Sequence, residues 1–216
     1  MKKAILFDLD GTISNSKDGI TKCVQYALQS FDIYEDNLNK LEAFIGPPLV
    51  DSFMKYYNFS ETKAKEATTK YRQRYSEIGV HEAEIYPNVE KCLIKLKNEN
   101  FFIGLASSKP ENFCKTVLAD FNIIQYFDDI AGATLDGKIS SKKEVLEEIF
   151  SRNNNLKKED SLLIGDTVYD ILGAKYIGIP CIGVSYGFGN VEEMKKAGAI
   201  AVIDDILELI DLLKSL

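Results

Sequence analysis

Six short apolar segments constrain the fold of this 216-residue chain more than any other feature of its sequence. Most of them are continuous rather than alternating, which is typical of strands that are covered on both faces in a parallel sheet. Amphipathic helical patterns lie between them, as at 142–153 and at 168–177, where Gly178 and Pro180 predict the helix end. Strands that alternate with helices predict an α/β sheet with right-handed crossovers. The six segments are AILF (4–7), FFIGLA (101–106), DIAGA (129–133), SLLIG (161–165), CIGV (181–184) and AIAVI (199–203).

The interval between the first two apolar segments is much longer than a strand–helix–strand crossover needs. Roughly 90 residues separate Asp8 from Phe101, whereas about a dozen residues suffice for a crossover. Residues 17–83 carry amphipathic helical patterns and no strand pattern. We therefore expect a Rossmann-like parallel sheet core formed by residues 1–16 and 84–216, with an all-helical domain of residues 17–83 inserted just after the first strand.

Acidic and hydroxyl side chains follow three of the predicted strands. In an open parallel sheet, ligands bind beyond the carboxyl ends of the strands, so we expect these side chains to meet at one rim. Asp8 and Asp10 follow the first strand of the sequence. The others are Ser107, Ser108 and Lys109 after FFIGLA, Lys142 at the start of the helix that follows DIAGA, and Asp166 and Asp170 after SLLIG.

This set of side chains points to phosphoryl chemistry with a metal ion. Carboxylates as close as Asp8 and Asp10 repel each other, and burying either one ionised and unpaired is costly. Oxygen ligands without histidine or thiolate suit Mg²⁺, which would offset that repulsion. Hydroxyl groups and lysine hold phosphate, while one aspartate attacks phosphorus and a second transfers protons. Taken alone, Asp166 and Asp170 also fit the capping of a helix.

Composition narrows the classes of function. The net charge is −7 and the pI is about 4.9, which argues against binding to a nucleic-acid polymer but not to a small phosphorylated metabolite. No apolar run approaches the ~20 residues of a membrane span, and Asp8 interrupts the only signal-like start. The four scattered cysteines fit a reducing compartment. We expect a cytoplasmic enzyme, a monomer or weak homodimer, whose acid–base groups are carboxylates because His81 is its only histidine.

The motifs resemble those of the haloacid dehalogenase (HAD) superfamily of phosphohydrolases over the whole chain. The D-x-D-G-T signature matches residues 8–12, and the hydroxyl residue of the second motif matches Ser107. The lysine of the third motif matches Lys142, and G-D-x-x-x-D matches residues 165–170. The helical insert corresponds to the subclass I cap of that superfamily. Asn15 departs from the family pattern, in which an aspartate is common there.

The resemblance implies a role for each motif residue. Asp8 is expected to be the nucleophile, and Asp10 the acid–base group. Both are expected to bind Mg²⁺, Asp10 through its backbone carbonyl. Asp166 and Asp170 are expected to be the other metal ligands. The residues expected to bind the phosphate group are Ser107, Ser108 and Lys142. Gly46 and Pro47 of the cap are expected to contact the substrate.

Two segments, FIGPPLVDSF and IAGATLDGKISSKKEVL, are most similar to those of HAD-type 5′-nucleotidases in the phosphoglycolate-phosphatase-like branch. The similarity implies hydrolysis of a nucleoside 5′-monophosphate or of phosphoglycolate through an aspartyl-phosphate. A phosphomutase of the β-phosphoglucomutase type remains an alternative, because it shares the fold and the intermediate. A non-catalytic regulatory protein is another, although it would be expected to have lost motif residues. The presence of Asp10 and Asp166 argues against a dehalogenase, which needs neither the metal nor the second acid.

Overall fold

The computed structural model describes residues 3–215, which fold into two compact units. The strands are β1 (Ala4–Phe7), β2 (Ser14–Asn15), β3 (Glu84–Ile85), β4 (Phe102–Pro110), β5 (Asp129–Ala133), β6 (Ser161–Gly165), β7 (Cys181–Val184) and β8 (Ala201–Ile203). The α-helices are α1 (Lys17–Gln29), α2 (Leu49–Tyr57), α3 (Glu61–Glu77), α4 (Val89–Asn98), α5 (Glu111–Asp120), α6 (Lys142–Arg152), α7 (Val168–Ile177), α8 (Val191–Ala197) and α9 (Glu208–Ser215). None of the helices in 3–215 has both the length and the apolar character needed to cross a membrane.

The first unit runs up to Asn15 and continues from Ile85. Its six-stranded sheet has the order β5-β4-β1-β6-β7-β8, and every neighbouring pair is parallel. This is the α/β Rossmann-like core that the alternation of strands and helices predicted. The order reverses between β1 and β6, which is where open parallel sheets bind ligands.

The central position of β1 determines which strand ends are adjacent. Phe7, its last residue, pairs with Leu105 of β4 and with Ile164 of β6. The N–H of Asp8 then donates to the carbonyl of Ile164 at 2.9 Å. The residues that follow β1 and β6, and the last part of β4, therefore lie along one rim of the sheet.

The predicted end of β4 is wrong. We expected the strand to end at Ala106, with the two serines and Lys109 beyond it. Instead β4 continues to Pro110, because Ser107 pairs with Gly132 and Pro110 with Ala133, with an irregularity between the two pairs. The expected strand at 199–203 is shorter and begins at Ala201.

Helices α6 and α7 cover one face of the sheet and carry two of the predicted site residues. Leu146 and Ile149 of α6 and Ile171 of α7 share a fully buried apolar cluster with Leu6 and Leu163 of the sheet. Because these apolar contacts fix the position of each helix, they also fix the polar residues in the first turn of each. Lys142 begins α6, and Asp170 lies in the first turn of α7.

Local signals in the sequence determine where both helices begin and end. Ser141 and Glu144 form a capping box at the start of α6, in which the Ser141 hydroxyl accepts from the Glu144 N–H. Thr167 and Asp170 form another at the start of α7. Gly178 ends α7 with φ 82°, a left-handed conformation that glycine adopts without strain. The predicted end of this helix is confirmed.

The second unit, Ser16–Glu84, contains α1, α2, α3 and two short 3₁₀ helices, Leu38–Phe44 and Gly79–His81. Aromatic rings form part of its core: Phe53 is 4.9 Å from Phe44 and 5.9 Å from Phe59, measured between ring centroids. Pro48 precedes α2, and the turn before it contains Gly46, whose φ of 101° lies in the left-handed region.

The capping box of α6 yields a stability prediction. We expect Ser141→Ala to lower the free energy of unfolding by about 1 kcal/mol, because it removes the side-chain acceptor at the helix start. In a chain of this size that corresponds to a fall in Tm of about 2–4 °C, measurable by calorimetry. Ser151→Ala is the matched control, since this exposed serine lies in the last turn of the same helix. An equal fall in both variants would contradict the capping role.

Candidate active site

A buried lysine lies between two of the predicted acids. Lys142 Nζ is 2.7 Å from Asp8 Oδ1 and 2.9 Å from Asp170 Oδ1. It also donates a hydrogen bond to the backbone carbonyl of Ala106 at 2.7 Å. The side chain of Lys142 is only 5% exposed, and that of Asp170 is fully buried. The structure therefore brings together residues from the end of β1, from the middle of β4 and from the first turns of α6 and α7.

Asp166 completes a cluster of three carboxylates. It is fully buried, and its Oδ2 accepts a hydrogen bond from the N–H of Phe188 at 2.8 Å. Its Oδ1 is buried and has no hydrogen-bond partner in the described part of the chain. One oxygen from each of Asp8, Asp166 and Asp170 lies within 4.8 Å of the others. The three are close enough to share one cation.

Asp170 has a dual position in this cluster. Its Oδ2 accepts hydrogen bonds from the N–H and the hydroxyl of Thr167, at 2.9 and 2.8 Å. Its Oδ1 faces Lys142 without a hydrogen bond of good geometry. Asp170 therefore belongs to a helix cap and to the buried carboxylate cluster at once, so the two roles considered for it do not exclude each other.

Asp10 is not part of the cluster of three carboxylates. It forms an ion pair with Lys109 that could not be predicted from the sequence. Its Oδ1 is 2.5 Å from Lys109 Nζ, and both side chains are nearly buried. The lysine stands in β4, 99 positions along the chain. Sequence alone placed Lys109 near the rim, but nothing in the local pattern indicated which acid it would meet.

The two predicted phosphate-binding serines have different surroundings. Ser107 is buried, and its Oγ accepts from the N–H of Lys109 at 3.4 Å. Ser108 is partly buried in the same strand. The hydrogen bond from Lys109 leaves the hydroxyl hydrogen of Ser107 available for an anion at the rim.

The two residues predicted for substrate binding, Gly46 and Pro47, belong to the second unit. Gly46 is exposed and Pro47 is partly buried. The left-handed φ of Gly46 means that any larger residue there would strain the backbone. A bulky replacement of Gly46 therefore cannot report on substrate contacts alone, and Pro47 is the better position to probe.

Burial and repulsion shift the pKa values of the clustered groups. Burial raises the pKa of Asp8 to about 6, a shift that Lys142 opposes and Asp170 increases. Burial also raises the pKa of Asp166 well above its usual value, with repulsion from Asp170 and Asp8 adding to the shift. For Lys142, burial disfavours the charge, but Asp170 and Asp8 outweigh it and raise its pKa. When all three carboxyl groups are ionised, the cluster holds more negative charge than its described protein neighbours neutralise.

The donor set fits Mg²⁺. All the clustered side-chain donors are carboxylate oxygens, the ligand type that Mg²⁺ prefers. When ionised, the four predicted acids of the rim face two ammonium groups within residues 3–215, so two negative charges remain. A divalent cation carries the charge to offset them. The unpaired Asp166 Oδ1 is the atom best suited to bind it.

Comparisons with known proteins find similar phosphatases that align with nearly the whole chain. Residues 5–184 match the family model described as haloacid dehalogenase-like hydrolase. A 5′-nucleotidase of Pseudomonas aeruginosa is 37% identical over 211 residues, which cover 98% of this chain and 95% of that protein. A phosphoglycolate phosphatase of Photorhabdus laumondii is 26% identical over 215 residues, covering 96% and 91%. A crystal structure described as a predicted phosphatase from Clostridium acetobutylicum has a TM-score of 0.96 and 42% identity, with 100% of both chains covered.

The raised pKa values predict how stability depends on pH in chelator. A carboxyl group whose pKa is higher in the folded state stabilises fully below its unfolded pKa, and this contribution is lost as pH rises through the folded pKa. For Asp8 the loss therefore runs from its ordinary pKa of 3.8 up to about 6, and for Asp166 it runs from the same starting value up to its own raised pKa. Asp166→Asn removes one of these charges and keeps an acceptor for the N–H of Phe188. We therefore expect its Tm, relative to the wild type, to rise between pH 5 and pH 7.5.

The size of this change follows from the linkage between pKa and stability. One pKa unit is about 1.4 kcal/mol, or about 2–4 °C in a chain of this size, so we expect a relative change of at least that amount. Thermal unfolding of both proteins in EDTA at the two pH values measures it. Asp136→Asn is the matched control, because this exposed acid has a lowered pKa and is ionised in both conditions. A difference between wild type and Asp166→Asn that is the same at both pH values would contradict the account.

Proposed function

The chain is a phosphatase of the haloacid dehalogenase-like hydrolase family, and from that premise we propose that it hydrolyses phosphate monoesters with Mg²⁺ and a covalent intermediate on Asp8. The observation that carries the proposal is the buried cluster of Asp8, Asp166 and Asp170 around one lysine. Within the described residues these three buried carboxylates face one ammonium group, so a further cation would balance their charge when they are ionised. Mg²⁺, when bound, would supply positive charge to the cluster and to the phosphoryl oxygens.

The proposed reaction has two steps at phosphorus. In the first, an oxygen of Asp8 forms a bond to phosphorus while the bond to the leaving oxygen breaks. Asp10, which must enter this step protonated rather than as the ionised partner of Lys109, gives that oxygen its proton. In the second, water attacks phosphorus, Asp10 takes its proton, and the bond to Asp8 breaks to release phosphate. Uncatalysed hydrolysis of these esters is so slow that enhancements can approach ~10²¹-fold, which warrants several catalytic groups.

Lys142 and Ser107 have separate roles in this proposal. Lys142 lies 2.7 Å from Asp8 and is held by Asp170 and by the carbonyl of Ala106, so it provides fixed positive charge beside the nucleophile. Such preorganised charge stabilises the negative oxygens that develop in phosphoryl transfer. The hydroxyl of Ser107, and that of Ser108 beside it, are proposed to donate to the phosphoryl oxygens.

We propose a nucleoside 5′-monophosphate as the substrate, with phosphoglycolate as the second choice. The 5′-nucleotidase relative shares 37% of the aligned residues, and the phosphoglycolate phosphatase shares 26%. We further propose that the protein acts in the cytoplasm as a monomer or weak homodimer. All four cysteines lie in the described part of the chain, are buried and form no disulfide, which supports a reducing compartment.

The test is a phosphate-release assay over nucleoside monophosphates, phosphoglycolate and sugar phosphates, with Mg²⁺ and again in EDTA. We expect phosphate to be released fastest from a nucleoside monophosphate. We also expect the activity to be lost in EDTA and to be restored when Mg²⁺ is added. Ca²⁺ should restore it poorly, because calcium prefers larger and more flexible oxygen shells. Interconversion of sugar phosphates without release of phosphate would indicate a phosphomutase. Full activity in EDTA would contradict the proposed cofactor.

Asp8→Asn should abolish turnover without unfolding the protein. The amide keeps the shape of the side chain but lacks the nucleophilic charge, so we expect kcat to fall on the order of 10³-fold or more. Metal-free stability at pH 7.5 should not fall, because a buried charge with a raised pKa has been removed. Phosphate release and thermal unfolding measure the two effects, with Asp136→Asn as the exposed control. Retention of more than a few per cent of the activity would remove Asp8 from the nucleophile role.

Pro47→Ala tests whether the second unit selects the substrate. Loss of the proline ring from this turn should lower kcat/KM for the best nucleoside monophosphate severalfold. Hydrolysis of p-nitrophenyl phosphate should change less than twofold, because this small ester needs little beyond the phosphate-binding groups. Steady-state kinetics of both substrates in both proteins provide the comparison. An equal loss on the two substrates, or none on either, would exclude a role for this turn in substrate choice.

A further inference from the structure

The loop that follows β7, residues 185–190, surrounds Asp166 but has no part in the chemistry proposed above. We call this segment, SYGFGN, the Tyr186 loop. Its first contact with the site is the hydrogen bond from the N–H of Phe188 to Asp166 Oδ2 at 2.8 Å. This bond occupies one of the two carboxylate oxygens. The other, Oδ1, is buried and has no hydrogen-bond partner among the described residues.

Gly187 presses directly on the same carboxylate. A Cβ atom at this position would lie 2.3 Å from Asp166 Cβ and 2.5 Å from Asp166 Oδ2. The φ of Gly187 lies outside the left-handed region, so its backbone does not require glycine. The lack of a side chain at Gly187 therefore provides space, and the space is filled by the Asp166 side chain and by the backbone carbonyl of Gly11.

Tyr186 connects the loop to the segment after β1, which carries Asp8 and Asp10. Its hydroxyl donates a hydrogen bond to the carbonyl of Thr12 at 2.9 Å. Its ring packs against Tyr86, with centroids 4.7 Å apart. Thr12 follows Asp8 and Asp10 in the same short segment. Through this bond the Tyr186 loop holds Asp166 in a defined position relative to the segment after β1.

We propose that Tyr186 and Gly187 are positioning residues that orient Asp166 for the metal, an inference that rests on the proposed Mg²⁺ site. The Phe188 N–H fixes one oxygen, Gly187 closes the space behind the carboxylate, and Tyr186 anchors the loop. Together they direct Oδ1 toward the oxygens of Asp8 and Asp170. Groups that orient metal ligands typically contribute about 10–100-fold to metal affinity.

The experiment measures binding of metal rather than turnover. Mg²⁺ and Ca²⁺ are titrated into metal-free wild type, Gly187→Ala and Tyr186→Phe, with affinity taken from calorimetry and from the rise in Tm. Mg²⁺ demands near-ideal octahedral geometry, whereas Ca²⁺ tolerates displaced ligands. We expect the Mg²⁺ Kd of Gly187→Ala to rise about 10-fold or more, with a smaller rise for Ca²⁺. Tyr186→Phe, which loses only the bond to Thr12, should show the same trend to a lesser degree.

Phe188→Leu is the matched control, because it changes the same loop but keeps the backbone N–H that binds Asp166. Its Mg²⁺ affinity should equal that of the wild type. If Gly187→Ala does not fold, Tyr186→Phe decides the question, since it removes one hydroxyl and adds no bulk. Wild-type affinity in Tyr186→Phe and in any folded Gly187→Ala would overturn the inference, as would equal losses for Mg²⁺ and Ca²⁺. A wild type that binds no Mg²⁺ would instead overturn the proposed cofactor, and this inference with it.

Discussion

The interaction on which the site depends is the contact of one buried ammonium group, that of Lys142, with Asp8 and Asp170. Three clustered carboxylates could not remain ionised in this interior without positive charge, and a single lysine does not suffice for all three. The raised pKa of Asp8, about 6, and that of Asp166 express the remaining imbalance. We propose that this imbalance gives the site its affinity for a divalent cation, and that the bound cation would in turn attract the negatively charged phosphate ester.

The fold produces this cluster by placing β1 between β4 and β6. Each strand ends at the same rim, so Asp8 and Asp166 meet although 158 positions separate them in the chain. The apolar faces of α6 and α7 then bring Lys142 and Asp170 to the cluster, because both lie in the first turns of helices that pack on the sheet. Packing of the core and placement of charge are therefore consequences of the same contacts.

Much of this arrangement could be predicted from the sequence, because its signals are local. The strands β1, β5, β6 and β7 begin and end where their apolar segments predicted, and the acids of the rim stand next to those segments. The ion pair of Lys109 with Asp10 could not be predicted, since it depends on how β4 and the segment after β1 approach each other. The contact of the Tyr186 loop with Asp166 depends likewise on tertiary packing, and the length of β4 on pairing with its neighbour.

The most direct test of the central claim is the position of a bound divalent ion. Mn²⁺ accepts the same oxygen ligands as Mg²⁺ and can be located in crystals by its anomalous scattering. We expect a single strong peak about 2.1 Å from oxygens of Asp8 and Asp166, on the side of Asp166 Oδ1. A structure at millimolar Mn²⁺ and pH 7.5 with no peak there, and with the clustered carboxyl groups protonated and hydrogen-bonded to one another, would contradict it.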